Sequence, residues 1–415
     1  MTREPSGRIE PALVVILAGV SAALHVGKLP PALPVLQEAL GITLLQAGFL
    51  LSTVQVAAIL LGLAMGLAAD GVGLKRSLIL GLSLLFGAAA LGTRAQGATE
   101  LIALRALEGV GFLLVCMPGP SLIRQLVPQQ RLSAMMGLWG AYMPLGTALA
   151  LLCGPWVMAS SDWPTWWWLL AWFSAVMAVA VAVLVPADQP SAARSMGGTA
   201  GMDGWRQRLR KTLSAPGPWL VALCFGVYSG QWLAVVGFLP TVYAQAGFSG
   251  GATAWLTASV AAVNMVGNIA SGRLLGSGVS PQRLLRIGFT VMALSSLAAY
   301  AQWPVHGGAG LPAEVRYLAV LLFSMVGGLI PGTLFSLSVR LAPGPDTVSA
   351  TVGWMQQWSA TGQFVGPPLV AWVATQAGGW QWSWLVTGGC AVAGLLLAGA
   401  IASRMASHPT LQGRA

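Results

Sequence analysis

Apolar residues in this chain come in long runs, and polar residues collect in the short stretches between them. A helix crossing the hydrocarbon core of a bilayer needs about 20 mainly apolar residues. On that measure the pattern predicts twelve spans, at 12–36, 45–69, 75–94, 100–123, 132–158, 166–186, 217–243, 251–274, 282–303, 313–340, 347–374 and 379–403. The expected fold class is therefore an all-α integral membrane protein. The polar segment Met1 to Glu10 carries Arg3 and Arg8, and no small-residue cleavage site separates the run that follows from Lys28. That first run reads as a span and not as a removed leader.

Composition supports the pattern and removes the soluble alternatives. Hydrophobic residues make up 56% of the 415 positions and charged residues 8%, against roughly 25% in a soluble domain. So little charge cannot coat a water-exposed surface. The 53 glycines and 18 tryptophans suit close helix contacts and headgroup-level aromatic rings. Cys116, Cys153, Cys224 and Cys390 all fall in apolar runs without metal-type spacing.

The net charge of +10 reports topology rather than nucleic acid. With both termini in the cytoplasm, only Arg94 and Arg316 of the 21 Lys and Arg fall at the outer side, and only Lys28 and Arg105 lie within spans rather than in loops or toward span ends. A long polar segment, 187–216, holds Arg206, Arg208, Arg210 and Lys211 and separates six spans (1–186) from six more (217–415). It reads as a linker loop, either a joint between two halves or a basic loop touching anionic headgroups.

The two halves repeat one another. At an offset of 206 residues Pro34 matches Pro240, Gly41 matches Gly247 and Gly66 matches Gly272. Further on, Pro118-Gly119 matches Pro331-Gly332, and Gly154-Pro155 matches Gly366-Pro367. Two pseudo-symmetric six-helix bundles follow. Twelve spans in two related halves resemble the major facilitator superfamily. Between spans 2 and 3, Gly66, Asp70, Gly73, Lys75 and Arg76 look like that family's cytoplasmic-loop motif, although Gly71 and Leu74 stand where basic residues are common. The resemblance implies a conformational latch made by these five residues, moving helices and no catalytic residues.

Four ionisable residues remain inside spans: His25, Lys28, Arg105 and Glu108. Arg105 and Glu108 share one face of span 4 at i, i+3. Arg105 with Gly109 resembles the superfamily's Arg-x-x-x-Gly motif, which implies proton coupling or substrate contact. The residues alone equally allow an ion pair that braces helix 4. Lys28 lies roughly 22 Å along span 1 from Leu13, with His25 one turn before it. It either projects into a central cavity or snorkels to the outer interface. Pro30, Pro31 and Pro34 are expected to free carbonyls where a substrate could approach. An ammonium beside an imidazole suits a small anion. The basic residue followed by Pro is similar to span 1 of the cyanate and nitroimidazole permeases, with Lys28 in place of their usual Arg.

The second half offers Tyr228, Gln231, Trp232, Asn264, Gln356 and Trp358 as neutral groups that could orient an anion, or serve as packing residues. Gly137, Gly140, Pro144 and Gly146 match the superfamily's antiporter motif only in part, which tilts away from drug efflux. No P-loop, metal cluster or catalytic triad is present in the sequence, so no cofactor, metal or enzymatic activity is expected. The sequence thus predicts a bacterial inner-membrane secondary transporter, a monomer moving a small anionic organic solute by alternating access with protons. A proton-driven efflux antiporter is the alternative and a membrane enzyme a remote one.

Overall fold

A computed structural model describes residues 10–68, 73–128, 131, 135, 138–188, 200–302, 310–344 and 347–407. Among these residues the chain is helical throughout, and its sole β feature is an isolated bridge between Gln302 and Gly310. Every predicted span coincides with a helical segment. Nine segments are long and apolar enough to cross a membrane, among the described residues. The helices Gly250–Gly276, Pro281–Tyr300 and Val348–Ala377, at spans 8, 9 and 11, are long enough but more polar. Several of their polar groups are turned inward: Asn264, Ser296, Thr351 and Ser359 are buried.

Several spans are not single rods. Span 1 consists of Pro11–Gly27 and Leu29–Leu40, broken at Lys28. Span 2 consists of Leu44–Ser52 and Val56–Ala68 joined by a 3₁₀ turn, Thr53–Gln55. Span 4 is Ala98–Cys116 followed by Gly119–Leu126, and span 10 is Ala313–Gly327 followed by Leu329–Leu341. The breaks in spans 4 and 10 adjoin the repeated Pro118-Gly119 and Pro331-Gly332. The other spans are Leu74–Gly92 (3), Tyr142–Ser160 (5), Trp163–Leu184 (6), Pro216–Gln245 (7) and Ser383–Ser407 (12).

The repeat has physical content. Gly41 and Gly247 both end their helices in the left-handed region, at φ of 63° and 83°, where a side chain is disfavoured. Packing repeats as well. Span 1 packs on 5 as 7 packs on 11, and 3 packs on 4 and 6 as 9 packs on 10 and 12. Between the halves, span 2 packs on 11 and span 5 on 8, a pairing that a two-fold rotation exchanges.

The tightest crossing is that of spans 7 and 11. Gly226 and Gly230 face Gly362 and Gly366, and a Cβ on Gly362 would lie 2.0 Å from the Gly226 carbonyl oxygen. Small residues four apart on both helices let the backbones touch, which is what holds helices together in lipid. At the end bearing Gly41 and Gly247, an apolar cluster joins the halves: Leu33, Leu36, Leu50 and Leu51 with Phe238, Val370 and Ala371.

The segment expected to be a linker loop contains a helix, Ala200–Ser214. Its sequence is amphipathic rather than apolar, with Thr212 buried and Arg206 and Arg210 exposed. A search for apolar runs passes over such a helix.

Candidate functional site

Local chemistry sets the break in span 1. Pro30 and Pro31 have no N–H to give to the carbonyls of Val26 and Gly27, four residues earlier. An unpaired carbonyl in a dry interior is costly, so the neighbouring helices supply donors. Arg105 Nη2 donates to the Val26 carbonyl at 3.2 Å and Nη1 to the His25 carbonyl at 2.5 Å. Trp166 Nε1 donates to the Lys28 carbonyl at 3.2 Å. Of the carbonyls that Pro30, Pro31 and Pro34 leave without a helical donor, those of Val26, Gly27 and Pro30, that of Val26 is thus already taken, because Arg105 lies within reach.

Arg105 arrives there because Gly109 lets span 4 approach span 2. A Cβ at Gly109 would sit 2.3 Å from the Val54 carbonyl oxygen, in the 3₁₀ turn. At that distance Arg105 Nε also donates to the Leu50 carbonyl at 3.2 Å. The Arg-x-x-x-Gly spacing therefore has a mechanical meaning: the Gly permits the approach that the Arg uses.

Glu108 sits one turn on from Arg105 and collects the charges. Arg105 Nη1 donates to its Oε2 at 2.7 Å, and Lys28 Nζ donates to its Oε1. His25 Nδ1 lies 3.6 Å from the same Oε1 and has no hydrogen-bond partner among the described residues. On its other side His25 Nε2 shares a hydrogen with Ser174 Oγ at 2.8 Å, and Ser174 Oγ with Ser21 Oγ at 3.1 Å. The Lys28 ammonium also stands 4.6 Å from the Trp167 ring centroid, within cation–π range.

His25, Lys28, Arg105 and Glu108 are at most 3% exposed. A lone charge at a helix centre costs about 2.5 to 3.5 kcal/mol on insertion scales, so mutual pairing is what makes the burial tolerable. The structure merges two pairs that the sequence kept apart. It also turns the Lys28 ammonium into the interior of the first half, toward spans 4 and 6. Neither outer interface nor the junction between halves receives it. A small pocket beside the cluster is lined by Leu29, Leu50, Ala88, Leu101 and Leu104.

The second-half candidates form a separate group. Asn264 Nδ2 donates to Tyr228 Oη at 3.1 Å and to the Ser324 carbonyl at 2.8 Å, and Trp232 Nε1 donates to Ser324 Oγ at 3.1 Å. Gln231 Nε2 donates to the Val227 carbonyl at 3.0 Å while its Oε1 is buried without a partner among the described residues. Trp358 packs on Trp219 and Trp354, with centroids 5.8 and 6.0 Å away, and Gln356 is half-buried. Among the described residues no hydrogen bond or ring contact joins this group to Lys28.

Of the five motif residues between spans 2 and 3, Asp70 lies outside the described residues and Gly66 is in the helix Val56–Ala68. Gly73 has φ of 85° and precedes span 3. Asp188 accepts from the backbone N–H of Lys75 at 2.8 Å and of Arg76 at 3.2 Å, and so caps span 3. Lys75 Nζ donates to the carbonyls of Ala182 (2.8 Å) and Val185 (2.6 Å) at the end of span 6. The described part of the motif thus ties span 3 to span 6 and to the start of the linker.

Ser21, Ser174, Trp167 and Asp188 were not singled out from the sequence. Ser21 was within reach, since Ser21, His25 and Lys28 fall on one helix face. The others contact the cluster or the loop from distant segments.

Helical architecture among the described residues, paired halves and a dry charge cluster in one half agree with a membrane transporter. The family model for the Major Facilitator Superfamily matches residues 12–359, and the chain belongs to that superfamily. It is similar to the cyanate transport protein CynX of Escherichia coli (strain K12), 25% identical over 362 residues that cover 87% of this chain and 88% of the relative. The likeness to the cyanate-permease branch seen at Lys28-Leu29-Pro30 therefore extends along nearly the whole chain.

Proposed function

We propose that this transporter carries a small anionic organic solute across the bacterial inner membrane by alternating access, together with a proton. The observation that supports this most directly is the charge of the buried cluster: two cations, Lys28 and Arg105, share one carboxylate, Glu108. An excess positive charge in a dry site favours an anion. The relative's name specifies cyanate, a small monovalent anion, which agrees with that sign. In this reading residues 1–186 and 217–415 rock about 187–216, with both termini and the linker in the cytoplasm. Lys28 and His25 bind the solute, and Glu108 with Arg105 link it to the proton.

Proton symport gives the anion a way in. Moving one negative charge inward against the membrane potential costs about 2.3 kcal/mol per 100 mV, and a proton carried with it cancels that charge. In proteoliposomes, Lys28→Ala is expected to lower uptake of labelled cyanate at least tenfold while the protein remains folded. Unchanged uptake would refute the assignment of Lys28.

A further inference from the structure

Glu108 holds the position a bound anion would want. Both of its oxygens are engaged by the two cations, Oε1 by Lys28 and Oε2 by Arg105, and the pocket beside them is small and walled by leucines. Arg105 has most of its remaining N–H groups fixed on backbone carbonyls of His25, Val26 and Leu50. Its free capacity toward an anion is therefore close to what Glu108 already uses. We infer that the Glu108 carboxylate stands in for the transported anion in this state, so that solute and ionised Glu108 occupy the Lys28 and Arg105 seat alternately. This rests on the anion reading above and adds the size, the valence and the coupling.

The size follows from the stand-in. A seat filled by one carboxylate group accepts a monovalent anion of about three heavy atoms, linear or planar, and has no place for a dianion or an aromatic acid. Coupling follows from charge. With Glu108 ionised and no solute the cluster carries one excess positive charge. With Glu108 protonated and a monovalent anion bound it again carries one. A proton alone would raise the excess to two, and an anion alone would cancel it and set two negative groups side by side in a seat that holds one. The empty and fully loaded forms therefore bury the same charge, and the two half-loaded forms do not.

The proton has a neighbour to come from. The groups facing Glu108 are His25 and Lys28 from span 1 and Arg105 from span 4, while span 6 contributes neutral Trp167 and, through His25, Ser174. Spans 2 and 3 place only apolar side chains at the pocket, among the described residues. The unpartnered His25 Nδ1, 3.6 Å from Glu108 Oε1, is the group positioned to pass a proton to it.

Formate and cyanate serve as probes on the purified full-length protein in detergent. Binding of either in weak buffer is expected to take up one proton per anion, with affinity rising about tenfold per pH unit on acidification across the neutral range. Malonate and benzoate should bind at least tenfold more weakly than formate. Glu108→Gln keeps the shape and removes the competitor, so its anion binding should become independent of pH, with pH-driven accumulation in liposomes lost. Anion binding without proton uptake by the unaltered protein overturns the inference and leaves the anion reading standing. So does accumulation by a folded Glu108→Gln protein, or equal affinity for malonate. If neither formate nor cyanate binds the unaltered protein, the anion reading fails and this inference falls with it. The proton count on the unaltered chain decides the matter even where the variant does not fold.

Discussion

Arg105 shows how much one side chain can hold. Its guanidinium donates to Glu108 and to three backbone carbonyls on spans 1 and 2, an arrangement that uses a planar fork and that a lysine's compact head cannot reproduce. Arg105→Lys keeps the charge and should still destabilise the protein by on the order of 3 kcal/mol, the scale of breaking a buried ion pair. A thermal melt in detergent would show this as a marked fall in apparent Tm. Asp188→Ala removes a cap worth about 1 kcal/mol and should speed amide exchange over Lys75 to Ser77 while leaving span 1 unaffected. At this scale the sequence was half legible. Scarcity of charge in spans singled out His25, Lys28, Arg105 and Glu108. That Lys28 and Glu108 touch could not be read, because eighty residues separate them and a single sequence carries no distances. Asp188 was hidden for a plainer reason: an acid in a polar linker looks like any other.

Elements were read more completely, because each span must satisfy its own backbone within lipid and leaves an apolar run as its signature. The breaks were partly visible through proline. The 3₁₀ turn Thr53–Gln55 was not, since no proline or glycine marks it. The linker helix was missed because it lies on one polar and one apolar face. Glycines separate into two kinds that composition cannot distinguish. Gly362→Ala would bring a methyl 2.0 Å from the Gly226 carbonyl oxygen and should loosen the crossing of spans 7 and 11, with lower yield and melting temperature. Gly87 has open space around it, so Gly87→Ala should be neutral or stabilise by up to about 1 kcal/mol through helix propensity.

Across the whole molecule, the contact of span 2 with span 11 includes polar groups at two levels. Gln55 Nε2 donates to Gln363 Oε1 at 2.9 Å, and Gln357 Nε2 donates to the Ile59 carbonyl at 2.5 Å. Motion of one half against the other must separate these pairs. With the native cysteines replaced, a short thiol crosslinker joining Gln55→Cys and Gln363→Cys should stop transport, and its reduction should restore it. Full transport by the crosslinked protein would mean the halves do not part there. The break at Lys28 gives this motion a lever. Leu29–Leu40 is a rod of 12 residues, about 18 Å long, that begins just beyond the His25 and Val26 carbonyls held by Arg105, and its Leu33 and Leu36 pack in the cluster that joins the second half. A tilt of about 10° at the pivot would carry the tip roughly 3 Å, the width of a backbone hydrogen bond. In the proposed cycle, charge changes at Glu108 act at the pivot through Arg105, and the seal lies at the far tip.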